Sequence, residues 1–579
     1  MKTLLYFSVV LLIGCSSTTD SLTNELNLKR EKNQESLYEY QKKVLYANSE
    51  YPEILLDKAR FFRDINDKKN YYRFAKGAFE QYYTLQRGIF SILDKYSKKQ
   101  YLQQHKKYIN ELFNATYSPY YKDTFNQWLN YKRTRFDYEN NIILAVEKNP
   151  KIKRVWNALN RQYTTLARLN QQNTDRKILS ALDKKNRRFE KQLSAYMADT
   201  FPKKTIDYKN ITDLLRDNEL YIDFAKTQDN YFIFVLDKSN QIIFKRFDKQ
   251  ETKTINDTID ATKKDIFRID KVHKNYGKLY NLIFKKIDIK NKTSLIISPD
   301  GELNKIPFEA LYDGEKYLIQ KLNIRYIPSG KEFVKLYQHN NKSNNRVIVF
   351  ANPSFGLNEN ERKESQLKGT TIETLYNETD GGKKNYFDTL TNQDEPKIIK
   401  KLYGKNAKIY LGKDATESNF FKIKSPKILH LSTHGFYLKD KSILNPMLKS
   451  GIALSGANNS IKNRKGDGII TALELSGMDL SHTELVVLSA CETGVGEVEN
   501  GEGVAGMSKA FMTAGAKYIV MSLWSVPTDA TGKLMKRFYE NLHKGYGYSE
   551  ALREAKIWWI EHKNSHPFYW SGFVGSGRD

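Results

Sequence analysis

Apolar residues recur along the first third of the chain with a helical beat. Ile152, Val155, Trp156, Leu159, Tyr163 and Leu166 follow the i, i+3, i+4, i+7 rule, which gathers them on one face of a helix. Leu179, Leu182, Phe189, Leu193 and Tyr196 continue in steps of mostly three and four, and Lys184, Lys185, Arg187 and Arg188 lie mostly off that stripe. The aromatic stretch "YYRFAKGAFEQYYTLQRGIFSIL" has the same spacing. Such stripes are helix-packing faces rather than cofactor boxes. The spacing predicts helix almost throughout residues 31–205, as an irregular bundle or array. Helical repeats are suggested, yet no 34-residue period and no tetratricopeptide consensus emerges.

The pattern changes at "TFPKKTIDYKN", residues 200–210, where a proline interrupts the helical beat and marks a boundary. Short apolar runs rich in β-branched and aromatic residues follow: "LYIDFA", "YFIFVLD", "QIIFKRF", "SLIIS", "RVIVFANPS", "KIYLG", "KILHLSTHG", "LVVLSAC" and "YIVMSLW". Between the later ones lie helical stretches such as "ESNFFKI", "GVAGMSKAFMTAG" and "ATGKLMKRFYENLHKG". Continuous apolar strands that alternate with helices predict a mostly parallel sheet covered on both faces, hence an α/β domain over residues 212–579 behind an all-α region.

Composition alters this picture only modestly. A chain of 579 residues with 40% hydrophobic content is long enough for two to four packed domains. The net charge of +27 comes mainly from lysine in a background of Asn, Ile and Tyr, as an AT-rich coding sequence produces. No arginine-rich arm, zinc spacing or RNA-binding signature accompanies it, so no nucleic-acid partner is expected. A general attraction to anionic lipid fits better.

The N-terminus gives that idea substance. In "MKTLLYFSVVLLIGCSSTTD", Lys2 precedes an apolar run of signal-peptide length, too short to span a bilayer. The run ends in Leu12-Ile13-Gly14-Cys15, which resembles a bacterial lipoprotein signal whose cysteine is lipidated. Residues 1–15 are then the signal, 16–30 a polar tether, and the expected location is the cell-envelope membrane, with its face open. The chain has two cysteines, so lipidation of Cys15 leaves Cys491 alone. A lone thiol in an exported protein is either buried and inert or kept for its reactivity.

Chemistry gathers at the carboxyl ends of strands in open α/β sheets. Here "ILHLST" leads to His434-Gly435, and "LVVLSA" leads to Cys491, 57 residues after His434. A thiol at neutral pH needs a base, and an imidazole at a neighbouring strand end supplies one. Gly435, Ala490 and Gly494 are small enough for a peptide carbonyl to approach, and the backbone N–H groups of Gly435 and Cys491 offer an oxyanion hole. His430, flanked by Leu429 and Leu431, reads as a structural histidine within the strand. One cysteine without a carboxylate–histidine cluster argues against a metal site. The "GEGVAG" run, Gly501 to Gly506, matches a dinucleotide fingerprint, but about ten residues separate it from the strand, where that motif needs direct continuity. It reads better as a flexible loop over the site, with a helix starting near Val504.

The segments "LHLSTHGFY", "GIITALELSGMDLSHTELVVLSACETGVGEVENGEGVAGMSKAFMTAGAKYIVMSLWSV" and "HPFYWSGFV" resemble the CHAT domain, a caspase-like, separase-related cysteine peptidase module. "FNQWLNYKRTRFDYENNIILAV" resembles the helical linker that precedes it. The resemblance implies a His434–Cys491 dyad with Gly435 in the oxyanion hole, and a pseudo-peptidase half over about 212–400 ahead of a catalytic half over 401–579. It also implies a pocket for the residue before the scissile bond, lined from the Ser489 position and from the loop holding Thr528 and Asp529. Ser489 is neutral where relatives can carry an acid, and Asp529 either favours a basic residue there or caps the following helix.

The expectation is a lipid-anchored cysteine endopeptidase with no cofactor, whose helical region recruits a protein substrate or a regulator. The alternative is an inactive, peptidase-derived binding or signalling module on the membrane.

Overall fold

The computed structural model describes residues 51–90, 101–134 and 205–579, with internal omissions at 286, 290, 339–342, most of 358–384, 391–393, 440–445, 464–467, 490–496 and 500–502. Of the other residues, only scattered positions between 149 and 192 are described, so most of the stripe from Ile152 to Tyr196 and all of 1–50, Cys15 included, lie outside the described residues. Among the described residues no helix is long and apolar enough to cross a membrane. The chain divides into two compact units, residues 1–89 with 101–120, and residues 90–100 with 121–579.

The first unit holds helices α1 (Pro52–Asp64), α2 (Lys68–Phe90) and α3 (Lys106–Ala115). The aromatic stripe of α2 buries Tyr71, Tyr72, Ala75, Ala78, Phe79 and Tyr82, the spacing that places one helical face inside. Glu111 of α3 is buried and takes a 2.6 Å bond from Tyr71 OH and a 3.1 Å bond from Arg63 Nη1.

The second unit opens with helix α4 (Tyr121–Tyr131), which lies inside the range the spacing assigned to the helical region. Then come β1 (Glu219–Lys226), β2 (Tyr231–Leu236), β3 (Ile242–Phe247), α5 (Lys249–Lys264), α6 (Ile269–Ile283), β4 (Ser294–Ser298), β5 (Asn323–Tyr326) and α7 (Gly330–Gln338). They are followed by β6 (Val347–Pro353), α8 (Asp394–Tyr403), β7 (Ala407–Gly412), β8 (Ile428–Ser432), β9 (Gly435–Tyr437), β10 (Ser450–Ala453), β11 (Ile469–Thr471) and β12 (Leu485–Leu488). The remainder is β13 (Glu497–Glu499), β14 (Gly503–Ala505), α9 (Met507–Thr513), β15 (Tyr518–Ser522), α10 (Thr528–His543), α11 (Tyr548–His562) and β16 (Phe573–Gly577).

Eleven of these strands form one sheet in the order β3-β2-β1-β4-β5-β16-β15-β12-β8-β6-β7. Only β1–β2, β2–β3 and β15–β16 pair antiparallel, so the sheet is mixed and mostly parallel, as the apolar strands predict. Alternate residues serve opposite faces. Leu485 and Val487 join the apolar cluster under α10 and α11, whereas Val486 and Leu488 join the cluster on the other face with Met507 and Phe511 of α9. Although β6 falls in the 212–400 range, it pairs with β7 and β8, so the strand groups divide between β5 and β6 and not at 400. The small antiparallel sheet β11-β10-β9 branches off just beyond β8.

Helix α4 is sewn to the sheet by polar and aromatic contacts together. Phe125 packs against Phe234 at 4.7 Å, and Tyr121 against Phe244 at 4.8 Å. Trp128 Nε1 donates to Asp223 Oδ1 at 2.9 Å, as does Lys132 Nζ, and Tyr221 OH donates to Asp223 Oδ2 at 2.6 Å. Lys132 Nζ also donates to Ser298 Oγ at 2.7 Å, on the adjacent strand β4. Lys132 and Asp223 are 1% and 0% exposed, so water screens this pair little. Burial, and then the neighbouring Asp223 carboxylate, push the Tyr221 phenol well above its ordinary range. Removing one partner of a buried pair leaves the other charge uncompensated, which costs about 3–5 kcal/mol. Lys132→Ala is expected to lower the unfolding free energy of the sheet unit by an amount of that order, read as a lower midpoint in urea titration. An unchanged midpoint would contradict this account of how α4 is held.

Candidate active site

His434 sits just past the end of β8, between that strand and β9. Its Nε2 lies 2.8 Å from the backbone carbonyl oxygen of Asp388. A carbonyl oxygen only accepts, so Nε2 carries the proton in the neutral ring and Nδ1 keeps its lone pair. Two rings fix the imidazole plane: Phe355 at 5.2 Å, and Phe387, nearly parallel, at 5.8 Å. Phe387 is itself held by Asn458, whose Oδ1 accepts from Phe387 N at 3.0 Å and whose Nδ2 donates to Phe387 O at 2.9 Å. The imidazole is therefore oriented by a carbonyl and an aromatic cradle. Neither Asp388 nor the two phenylalanines carried a readable signal, because a backbone carbonyl has no residue-type signature and its partner lies 46 residues away.

Gly435 opens β9 and stands opposite Ile452 of β10. Ala453 N donates to His434 O at 2.9 Å and Leu438 N to Lys449 O at 2.7 Å. Hydrogen-bonded pairs alternate along an antiparallel ladder, so the N–H of Gly435 points away from β10. As β9 is the outer strand of its sheet, this N–H faces the open edge, in keeping with an oxyanion donor.

Strands β8 and β12 are parallel neighbours with Leu431 opposite Leu488. In sequence His434 and Cys491 each stand three residues beyond that pair. Cys491 itself lies outside the described residues, as do Ala490 and Gly494. Ser489 is described. Its N donates to Leu431 O at 2.9 Å and its Oγ to Glu395 Oε1 at 3.1 Å, so the hydroxyl proposed for a substrate pocket is directed at a buried carboxylate on α8. His430 is fully buried, with Nδ1 2.9 Å from Tyr539 OH, as a structural histidine requires.

Asp529 is the second residue of α10, whose cap is Pro527 with no side-chain bond. It does not cap the helix; its carboxylate favours the dipole from within the first turn and lies 2.6 Å from Lys533 Nζ. The carboxylate is 74% exposed, and no described contact ties it to His434 or Gly435. The glycine run also differs from expectation. Gly503–Ala505 pairs antiparallel with Glu497–Glu499, and helix α9 begins at Met507 rather than near Val504. Among the described residues no cluster of three metal-ligating side chains occurs. A cavity of about 90 Å³ is lined by Arg133, Tyr326, Met507, Lys509 and Met521 among others, none of them a predicted site residue.

A family model for the CHAT domain matches residues 274–578, more than half of the 579-residue chain. The chain belongs to the CHAT-domain family. The CHAT match begins inside α6, so β1–β3, α4 and α5 precede it. Among curated relatives, tetratricopeptide repeat protein 28 of Mus musculus is 36% identical over 112 residues, 19% of this chain and 4% of that protein. The Homo sapiens protein of the same name is 22% identical over 401 residues, 61% of this chain and 15% of that protein. This chain thus spans a small part of both relatives. Among solved structures, the Saccharomyces cerevisiae separase–securin complex aligns with a TM-score of 0.41 at 11% identity, covering 91% of this chain and 40% of that one. The Arg-specific cysteine proteinase gingipain R aligns with a TM-score of 0.33 at 11% identity, covering 57% of this chain and 75% of that one. Likenesses this distant carry no conclusion about chemistry.

The geometry predicts the His434 tautomer. In protein labelled with ¹⁵N at histidine, above the pH where the ring is neutral, His434 should show a protonated Nε2 and a bare Nδ1. A protonated Nδ1 would contradict the assignment.

Proposed function

We propose that this CHAT protein is a membrane-anchored cysteine endopeptidase. The observation that carries the reading is the bond from His434 Nε2 to Asp388 O, which leaves Nδ1 basic at the end of the strand beside the one that runs on to Cys491. His434 takes the thiol proton, and Cys491 Sγ attacks the scissile carbonyl carbon. The C–S bond forms, and the negative charge on oxygen is met by the N–H groups of Gly435 and Cys491. The C–N bond then breaks as His434 returns its proton to the leaving amine. Water, deprotonated by His434, hydrolyses the thioester to a carboxylic acid and restores the thiol. Each step balances without a cofactor. The helical region recruits the protein substrate or a regulator, and Cys15 carries the lipid.

The test is a comparison of new protein N-termini in cells that express wild type, Cys491→Ala or His434→Ala. Wild type should generate N-termini absent from both variants, with circular dichroism unchanged. Equal sets of N-termini in all three would leave the binding or signalling module as the reading. For the anchor, Cys15→Ser should move the protein from the detergent phase to the aqueous phase in Triton X-114 partitioning. Retention in the detergent phase would contradict lipidation at Cys15.

A further inference from the structure

A single buried carboxylate ties together the two strands that lead to the dyad. Glu395, the second residue of α8, is 1% exposed. Its Oε1 accepts from Ser489 Oγ at 3.1 Å, and its Oε2 lies 2.8 Å from His430 Nε2. The second approach is a close contact that does not meet hydrogen-bond geometry. His430 is braced from behind by Tyr539 OH. Ser489 precedes Cys491 by two residues, and His430 precedes His434 by four. Each oxygen of Glu395 therefore holds one of the strands that deliver a member of the dyad.

Stability does not account for this arrangement. The surrounding face is apolar, with Ile428, Leu485, Val487 and Val349 in the same cluster. Burying a carboxylate, an imidazole and a phenol there costs solvation, and well-packed apolar residues of similar volume commonly do as well or better. The β8–β12 pairing is already fixed by its backbone ladder from Leu485–Ile428 to Leu488–Leu431 and by the bond from Ser489 N to Leu431 O. What the ladder does not fix is the sideways position of the strand ends, where the chain leaves the sheet. A carboxylate that reaches both strands from a third element fixes that position.

We propose that Glu395 is a positioning residue for the His434–Cys491 pair, setting the thiol against Nδ1; this rests on the cysteine-peptidase reading. Ser489 is then part of the support and not of a substrate pocket. Reacting atoms must approach to about 3–3.5 Å, and a misplacement of about 1 Å costs on the order of 100-fold. Glu395→Ala should lower the rate of Cys491 labelling by iodoacetamide about tenfold or more, and the yield of new N-termini with it. Glu395→Gln, which keeps the length and an acceptor for Ser489, should restore labelling to within about threefold of wild type. Ser489→Ala, which removes only the link to the cysteine strand, should give a smaller loss with an unchanged fold and serves if Glu395→Ala does not fold.

Wild-type labelling and N-termini in a folded Glu395→Ala or Ser489→Ala protein would overturn the inference while leaving the peptidase reading intact. An equal loss in Glu395→Ala and Glu395→Gln, matched by lost ellipticity, would assign Glu395 a purely structural role and overturn it too. Wild type that labels no faster than its urea-denatured control and yields no new N-termini would instead sink the peptidase reading, and this inference with it.

Discussion

The parallel pairing of β8 with β12 is the constraint on which the site depends. Parallel neighbours end on the same side of a sheet, so two segments far apart in sequence deliver His434 and the chain toward Cys491 to adjacent places. Register makes this specific: a slip of β8 by one residue would send His430 to the opposite face and put Leu429 or Leu431 against Glu395. The apolar clusters on both faces enforce that register, because each accepts only one set of alternate residues. The site is thus a by-product of correct sheet packing, refined by polar contacts that packing alone does not require.

Those polar contacts recur across the sheet unit. Lys132–Asp223, Arg325–Glu219 at 3.1 Å and Lys556–Glu309 at 3.2 Å are all buried pairs. Burial alone pulls the Lys556 ammonium below its ordinary range, and Glu309 offsets only part of that. Such pairs add little net stability over apolar substitutes, but each tolerates only one alignment of the elements it joins. Lys132 fixes α4 against β1 and β4, and Lys556 fixes α11 against the turn that holds Glu309. Glu395 is buried as they are but differs in place, since the strands it contacts lead toward His434 and Cys491.

Much of this was legible along the chain. Strands of continuous apolar residues announce burial on both faces, and "LYIDFA", "YFIFVLD" and "KILHLS" became β1, β2 and β8 for that reason. The glycine-terminated ends of strands pointed to His434 and Gly435 without any knowledge of the fold. Other features were not readable. The tautomer-setting Asp388 acts through its backbone, and Glu395 looks like any helix-start acid until its burial is seen. The hairpin of Glu497–Glu499 with Gly503–Ala505 defeated a helix start near Val504 because backbone pairing with a strand only a few residues earlier holds that segment extended. The reading of Asp529 as the helix cap failed because Pro527 occupies the cap position, and the acid favours the dipole from within the first turn.

The central claim is that His434 Nδ1 and the Cys491 thiol form one reactive pair. The most direct measurement is the pH dependence of Cys491 alkylation in wild type and in His434→Ala. A free thiol titrates near pH 8.5, and a thiolate paired with imidazolium forms well below that. Wild type should stay reactive well below the free-thiol range, and His434→Ala should fall back toward it. Superimposable profiles, both matching the denatured chain, would contradict the account.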